Sequence, residues 1–179
     1  MPQFAEFGPA AAWLKRHPQV RCVDLLLADL MGIPRGKRVT AAELEGVHGS
    51  GLLLPGSMFA LDVLGGTVQS TGLGFDEGDA DRVCLPIAGT LVSVPWLGAD
   101  IAQMQVSMYE HDRTPFHGDP RHVLESIVAR FTALGLQPVM AVELEFYLVD
   151  RERTPAGHAQ PPRQPLTGRR EVKTQINSM

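Results

Sequence analysis

Cysteine is scarce. The 179 residues hold two, Cys22 and Cys84, far apart and without a Cys-x-x-Cys pair. That argues against a disulfide framework or a cysteine zinc site. A membrane-spanning run is missing as well. The longest uncharged stretch, Val83 to Ala99, is broken by Pro86 and Pro95 and falls short of the roughly 20 apolar residues a membrane helix needs. The first residues, MPQFAEFGPAAAWLKRHP, lack the basic start, apolar stretch and cleavage site of a secretory signal, so a cytoplasmic location is expected. There is no overall excess of basic charge, since the formal net charge is −4. No Walker A loop, Gly-x-Gly-x-x-Gly, His-Glu-x-x-His or nucleophile elbow occurs. The six histidines (17, 48, 111, 117, 122, 158) form no ligand-spaced pair, which leaves little basis for a histidine-ligated hydrolase.

What is present is an ordinary globular composition, 44% hydrophobic and 20% charged, with room for a core that needs no staples. The net charge hides an asymmetry. Residues 151–179 carry six bases and two acids, a net +4, which leaves −8 on residues 1–150. An acidic body argues against nucleic acid as the main partner. The basic tail also holds Pro155, Pro161, Pro162 and Pro165 and shows no hydrophobic period, so it reads as loop or disorder.

Residues 3–17 have a helical spacing of Phe4, Phe7, Ala11 and Leu14, ended by Pro18. Val20 to Leu30 reads as a strand, paired through a turn at Met31-Gly32 with the basic run Pro34–Val39. Thr40 is placed to cap a short helix through Val47, with Glu43 at the capping-box position. Residues 48–82, with Gly46 just before them, hold nine of the eighteen glycines and keep no clean period. A loop this long is usually functional or disordered, and its apolar content predicts order against something, another subunit included. Strands are expected at Arg82–Leu85, Thr90–Val94 and Ala102–Glu110. Asp119-Pro120 opens a helix as N-cap and N1, with a stripe of Leu124, Ile127, Val128, Phe131 and Leu134 and Gly135 just past its end. The strongest strand pattern is Leu136–Asp150.

That last segment carries the chemistry. In a strand over Ala141-Val-Glu-Leu-Glu-Phe-Tyr-Leu-Val149, side chains alternate. Val142, Leu144, Phe146 and Leu148 face a core, and Glu143 and Glu145 share the other face, about 7 Å apart. The acids stand among Ala, Tyr and Val. Like charges on a semi-buried face need a cation, and Mg²⁺ or Mn²⁺ takes oxygen ligands. An exposed edge strand with two solvated glutamates is the plainer reading, and a glycosidase-like acid/base pair is a third. Asp76, Glu77, Asp79 and Asp81 resemble a cation loop without the twelfth-position glutamate of an EF-hand, and an Asp/Gly turn accounts for them equally. The bases of Arg35, Lys37 and Arg38 could meet an acidic neighbour or a phosphate.

Taken in order, VDLLLADLMGIPRGKRV, LPGSMFALDVLG, GDADRVCLPIAGTLVSVPW and VELEFYLVD resemble the glutamine synthetase superfamily, and most nearly its γ-glutamylpolyamine (γ-glutamylputrescine) synthetase branch, from about Val20 to Pro162. The resemblance implies an α+β chain: a β-grasp-like N-terminal domain, then the first helix and strand of an incomplete catalytic domain. It divides the chain into an N-terminal helix (1–19), the β-grasp-like domain (20–112) and the start of the catalytic α/β domain (113–179). It implies ATP as a substrate, glutamate activated as its γ-phosphate, and an amine that displaces phosphate. It further implies two Mg²⁺ or Mn²⁺ ions, with Glu143 on the nucleotide-side ion and Glu145 on the glutamate-side ion. Homo-oligomeric rings are implied too, in which the N-terminal domain of one subunit closes the next subunit's site.

Two departures follow. Glutamine synthetases proper carry Phe-Asp-Gly-Ser-Ser where this chain reads Phe59-Ala60-Leu61-Asp62. Ala60 stands where the ammonium-binding Asp belongs, so an organic amine is expected in place of ammonia, with Asp62 as a shifted amine-side carboxylate. The resemblance also places the remaining metal ligands, ATP contacts and glutamate-binding arginines beyond Met179. The chain is therefore expected to be an N-terminal portion without ligase activity of its own. Glutamine synthetase proper and a non-catalytic β-grasp assembly module are the alternatives.

Overall fold

The computed structural model describes residues 4–74 and 78–170. These fall into two units, Met1–Pro138 and Val139–Met179. In the first, helix α1 (Phe7–Arg16) precedes strands β1 (Cys22–Ala28) and β2 (Pro34–Thr40). Helix α2 (Leu44–Ser50), strand β3 (Leu52–Pro55), strands β4 (Asp81–Pro86), β5 (Val92–Ser93) and β6 (Ile101–Tyr109), and helix α3 (Pro120–Ala133) follow. The sheet is mixed, in the order β2-β1-β6-β4-β3, with the short β5 also on β6. Only β1 and β6 run parallel; the other pairings are antiparallel.

The alternation in β1 has a direct consequence. Val23, Leu25 and Leu27 are buried and meet Ala102, Met104, Val106 and Met108 of β6, Leu44 and Val47 of α2, and Phe59 and Phe116 in one core. Phe7, Trp13 and Leu14 of α1 pack against it. Gly36 of β2 pairs with Leu26. A β-carbon there would stand 1.7 Å from the Leu25 carbonyl oxygen, so only glycine permits this approach of β2 to β1.

The hairpin is organised by Asp29, which is buried. Its Oδ1 accepts the backbone N–H groups of Met31 (2.8 Å) and Ile33 (2.9 Å), and its Oδ2 accepts Arg35 Nε at 2.6 Å. Arg38 pairs with Asp24 at 2.6 Å, so two of the three bases on β2 meet acidic residues of their own hairpin. Burial pushes the Asp29 carboxyl up, but the Arg35 hydrogen bond, the two backbone N–H groups and the Arg35 charge outweigh it and hold the carboxyl below its ordinary value. A carboxyl lowered in the folded state adds stability above its unfolded value and loses it as pH falls through the folded one. Asp29→Ala is therefore expected to cost about 2 kcal/mol near neutral pH. The deficit should shrink as urea titrations move below pH 3.8, the ordinary value for an aspartate carboxyl. A pH-independent deficit would show that packing, not charge, is what Asp29 contributes.

The capping box is present: Thr40 N–H and Oγ1–H donate to Glu43 at 2.7 and 2.8 Å, at the head of a 3-10 turn that leads into α2. At α3, Asp119 accepts the Arg121 N–H at 2.8 Å with Pro120 at the first helical position. Gly135 ends the helix at φ +71°, and the Leu136 N–H closes onto the Phe131 carbonyl at 2.9 Å. Asp119 and His122 also do something the sequence does not display. β1 pairs with β6 only as far as Gln105. Farther along β6, Asp119 Oδ2 accepts the Met108 N–H at 2.8 Å and His122 Nε2 donates to the Met108 carbonyl at 2.8 Å. The Phe116 N–H donates to the same carbonyl at 3.1 Å, and beside that backbone partner the two side chains fix the start of α3 to β6.

One expectation needs correction, and one helix face stands uncovered. The apolar stripe of α3, Leu124, Ile127, Val128, Phe131 and Leu134, is exposed, and His122 is the one buried residue of the helix. The segment Leu136–Asp150 is not a strand. The residues expected to face a core, Val142, Leu144, Phe146 and Leu148, are 72–86% exposed. The physical reason is the same in both. A strand exists through ladder hydrogen bonds to a neighbour and a helix stripe is buried by a facing element, and the described residues supply neither.

Candidate functional site

The glycine-rich stretch after α2 is ordered where described. β3 joins the sheet edge by pairing Leu52–Pro55 with β4. A 3-10 turn over Gly56–Ala60 follows, with Gly56, Ser57, Phe59 and Ala60 buried. Phe59 is the anchor, 1% exposed, its ring 5.7 Å from that of Phe116. Arg82 stacks its guanidinium over Phe116 at 4.2 Å and pairs with Glu110 at 3.2 Å. Beyond the anchor, Leu61 and Thr67 form an isolated bridge around a loop whose tip exposes Val63 and Leu64.

Asp62 organises that tip. Its Oδ1 accepts the N–H groups of Leu64 and Gly66, each at 2.8 Å, an Asx turn that fixes the loop. One carboxylate oxygen is thus committed to the backbone, and no protein donor takes Oδ2 among the described residues. Ala60 is buried beneath the same loop. Of the acidic run before β4, Asp76 and Glu77 lie outside the described residues, and Asp81 sits in β4. Cys84 is buried, and that burial, with Asp119 and Asp81 nearby, pushes its thiol up to about 12. Thiolate chemistry there is closed.

In the unit Val139–Met179, Glu143 and Glu145 lie on an unpaired segment and both are exposed. They are hard oxygen donors of the kind Mg²⁺ and Mn²⁺ accept. No group of three or more His, Cys, Asp or Glu side chains placed to hold a metal ion occurs among the described residues. The donor chemistry suits a divalent ion, and the donor number does not complete its shell. Downstream, two bases of the tail pair with nearby acids. Arg170 reaches Asp150 and Glu152 at 2.5 and 2.7 Å, and Arg163 reaches Glu152 at 3.2 Å. The Glu152 N–H, with the Arg170 hydrogen bond and the charges of Arg170 and Arg163, outweighs burial and lowers the Asp150 carboxyl.

A model described as glutamine synthetase, catalytic domain, matches residues 117–179. γ-Glutamylputrescine synthetase PuuA of Escherichia coli (strain K12) is 41% identical over 167 residues, 93% of this chain and 35% of the relative. The chain belongs to the glutamine synthetase superfamily. The glutamine synthetase of Pyrococcus horikoshii is 30% identical over 131 residues, 73% of this chain and 26% of that superfamily member. Among solved structures, a glutamine synthase homologue aligns with TM-score 0.56 and 27% identity over 64% of this chain and 27% of its own. A GmaS/ADP complex aligns with TM-score 0.55 and 22% identity over 69% and 25%, a likeness of fold alone. The fold is thus of the superfamily's type, built here on a mixed sheet. The chain spans about a quarter to a third of the length of the curated relatives it matches. No helix among the described residues is long and apolar enough to cross a membrane.

Two features of the site escaped sequence reasoning. β3 was hidden because Leu52-Leu-Leu-Pro55 neither alternates nor contains β-branched residues. The Asp119/His122 clamp was hidden because a helix N-cap gives no sign of a second acceptor role; only the end of β1 pairing at Gln105 makes room for it.

Proposed function

We propose that this chain contributes to an ATP-dependent ligase joining the γ-carboxylate of glutamate to an organic amine. In that reaction the carboxylate takes the γ-phosphoryl group of ATP and releases ADP. The amine nitrogen then attacks the acyl carbon, phosphate leaves, and the nitrogen gives up a proton. The reading rests chiefly on Glu143-x-Glu145, which lies inside the segment matched by the catalytic-domain model. Glu143 would hold a nucleotide-side Mg²⁺ or Mn²⁺ and Glu145 a glutamate-side one. When bound, such ions offset the phosphate charge that phosphoryl transfer must accommodate. A polyamine-like substrate is favoured by Ala60, which leaves no carboxylate at the ammonium position, and by the name of the E. coli relative. Ammonia as the substrate is the alternative.

The mixed sheet with α2 packed on it is read as the β-grasp-like N-terminal domain, spanning 20–112 after the 1–19 helical segment, with 113–179 assigned to the catalytic domain. The exposed loop tip at Val63-Leu64 suits a domain that closes a neighbouring subunit's site in a homo-oligomeric ring. A cytoplasmic setting accords with ATP and glutamate as substrates. With no complete metal shell among its described residues, the 179-residue chain alone is expected to show no ligase turnover. A coupled assay for ADP with glutamate and putrescine tests this, and robust turnover would refute it.

The positive test is a chimera in which this chain replaces the matching third of the E. coli enzyme. Putrescine-dependent ADP release by the folded chimera supports the ligase reading. A folded, assembled chimera without it favours a non-catalytic assembly module. In the active chimera, Asp62→Asn keeps an Oδ1 acceptor for the loop but removes the charge. A rise of at least about tenfold in KM for the amine, at unchanged thermal stability, is expected if Asp62 attracts the substrate cation. Unchanged kinetics would confine Asp62 to the loop turn.

A further inference from the structure

Asp62 uses its two carboxylate oxygens unequally. Oδ1 accepts the Leu64 and Gly66 N–H groups, and both bonds lie at the solvent surface. Oδ2 has no protein donor among the described residues, and Gly66 keeps the space beside it. A β-carbon at Gly66 would stand 3.0 Å from Oδ2. Backbone bonds hold the loop in this shape. The Asp62 N–H donates to the Gly66 carbonyl at 2.8 Å, the Gly65 N–H to the Asp62 carbonyl at 3.0 Å, and the Val68 N–H to the Ala60 carbonyl at 2.8 Å. The carboxylate is thus set in place before any ligand arrives, which lowers the cost of binding one.

The side chains around it in the loop are apolar. Ala60 is buried and carries no charge, and Val63 and Leu64 are exposed at the tip. One negative charge among aliphatic side chains suits a hydrocarbon chain that ends in a cation. It does not suit the attacking nitrogen as well. A carboxylate beside an amine favours the ammonium form, and an ammonium nitrogen has no lone pair with which to attack an acyl phosphate. A fixed carboxylate is therefore better matched to a nitrogen that stays charged throughout the reaction. A diamine has one nitrogen of each kind.

Resting on the ligase reading above, we propose that Asp62 Oδ2 binds the distal, non-reacting ammonium of a diamine and so selects diamines over monoamines of equal chain length. The other nitrogen, as the neutral amine, forms the bond to the acyl carbon. The acyl carbon–oxygen bond breaks, its electron pair leaves with phosphate, and that nitrogen gives up one proton. The distal nitrogen keeps its protons throughout.

Putrescine and n-butylamine test this, since they share a four-carbon chain and differ only in the distal nitrogen. ADP release by the active chimera is measured with each. A kcat/KM for putrescine at least about tenfold above that for n-butylamine is expected. Asp62→Asn should bring the two within about threefold of each other, with the change lying in KM for putrescine. The inference alone is overturned if the parent chimera uses both amines equally well. It is also overturned if Asp62→Asn lowers both in proportion, since the carboxylate then serves the reacting nitrogen or only the loop. A folded chimera that releases ADP with neither amine overturns the ligase reading and this inference with it. Should Asp62→Asn fail to fold, Gly66→Ala decides by the same ratio. It crowds Oδ2 while keeping the backbone N–H groups that hold Oδ1, so the putrescine preference should narrow, and an unchanged preference would overturn the inference.

Discussion

Glu145→Gln in the active chimera is expected to lower putrescine-dependent turnover by at least about 100-fold. Loss of a partner that merely orients a metal ligand already costs about 10–100-fold in affinity or activity, and this change removes the charge of the proposed ligand itself. The substitution keeps the size and shape of the side chain and leaves one neutral acceptor oxygen. Its target is exposed in this chain, so a cost in folding stability is not expected. The signature is therefore specific: an unchanged thermal midpoint, a steep fall in kcat, and partial recovery at raised Mn²⁺. Glu143→Gln should act in the same sense, with the larger change in KM for ATP if it serves the nucleotide-side ion. Activity within threefold of the parent chimera for both variants would leave the pair as two solvated glutamates.

The second large effect is structural. Phe59→Ala is expected to destabilise the chain by about 3–5 kcal/mol, the range for emptying a fully buried phenylalanine site. Phe59 is 1% exposed and packs on Phe116. It is the residue that ties the glycine-rich loop to the core formed by β1, β6 and α2. The loop should respond before the sheet does. Hydrogen exchange is expected to accelerate at the Asp62, Gly65 and Gly66 amides under conditions where β1 and β6 stay protected. The urea midpoint gives the overall cost, and a midpoint shift worth less than about 1 kcal/mol would show that the site collapses around the smaller residue. In the chimera the same variant should raise KM for the amine more than that for ATP, because the loop carries Asp62.

Much of this molecule was legible in its residues. The β1–β2 hairpin follows from a Val/Leu run, a turn at Gly32 and a second run of matching length. The Thr40/Glu43 box and the Asp119-Pro120 start of α3 follow from local hydrogen-bonding chemistry that needs no distant partner. The superfamily was legible from four short motifs in order, and the substrate question was already posed by Ala60. Other readings went astray for identifiable reasons. Hydrophobic alternation in Val142–Leu148 states that a strand is wanted, but a strand is completed only by its neighbours. The α3 helix formed as read, and its stripe names a face and not what covers it.

The sequence by itself determined what is local or compositional: which segments turn, cap and alternate, the −8 body and +4 tail, and the two glutamates spaced for one face. The tertiary structure decided what depends on distant partners. It set Asp29 as the acceptor for Arg35 and two backbone groups, and committed one oxygen of Asp62 to its own loop. It also gave Asp119 and His122 to the backbone of Met108. Hydrogen-bond satisfaction is a property of the whole packed assembly, so it cannot be assigned along the chain until the chain is folded.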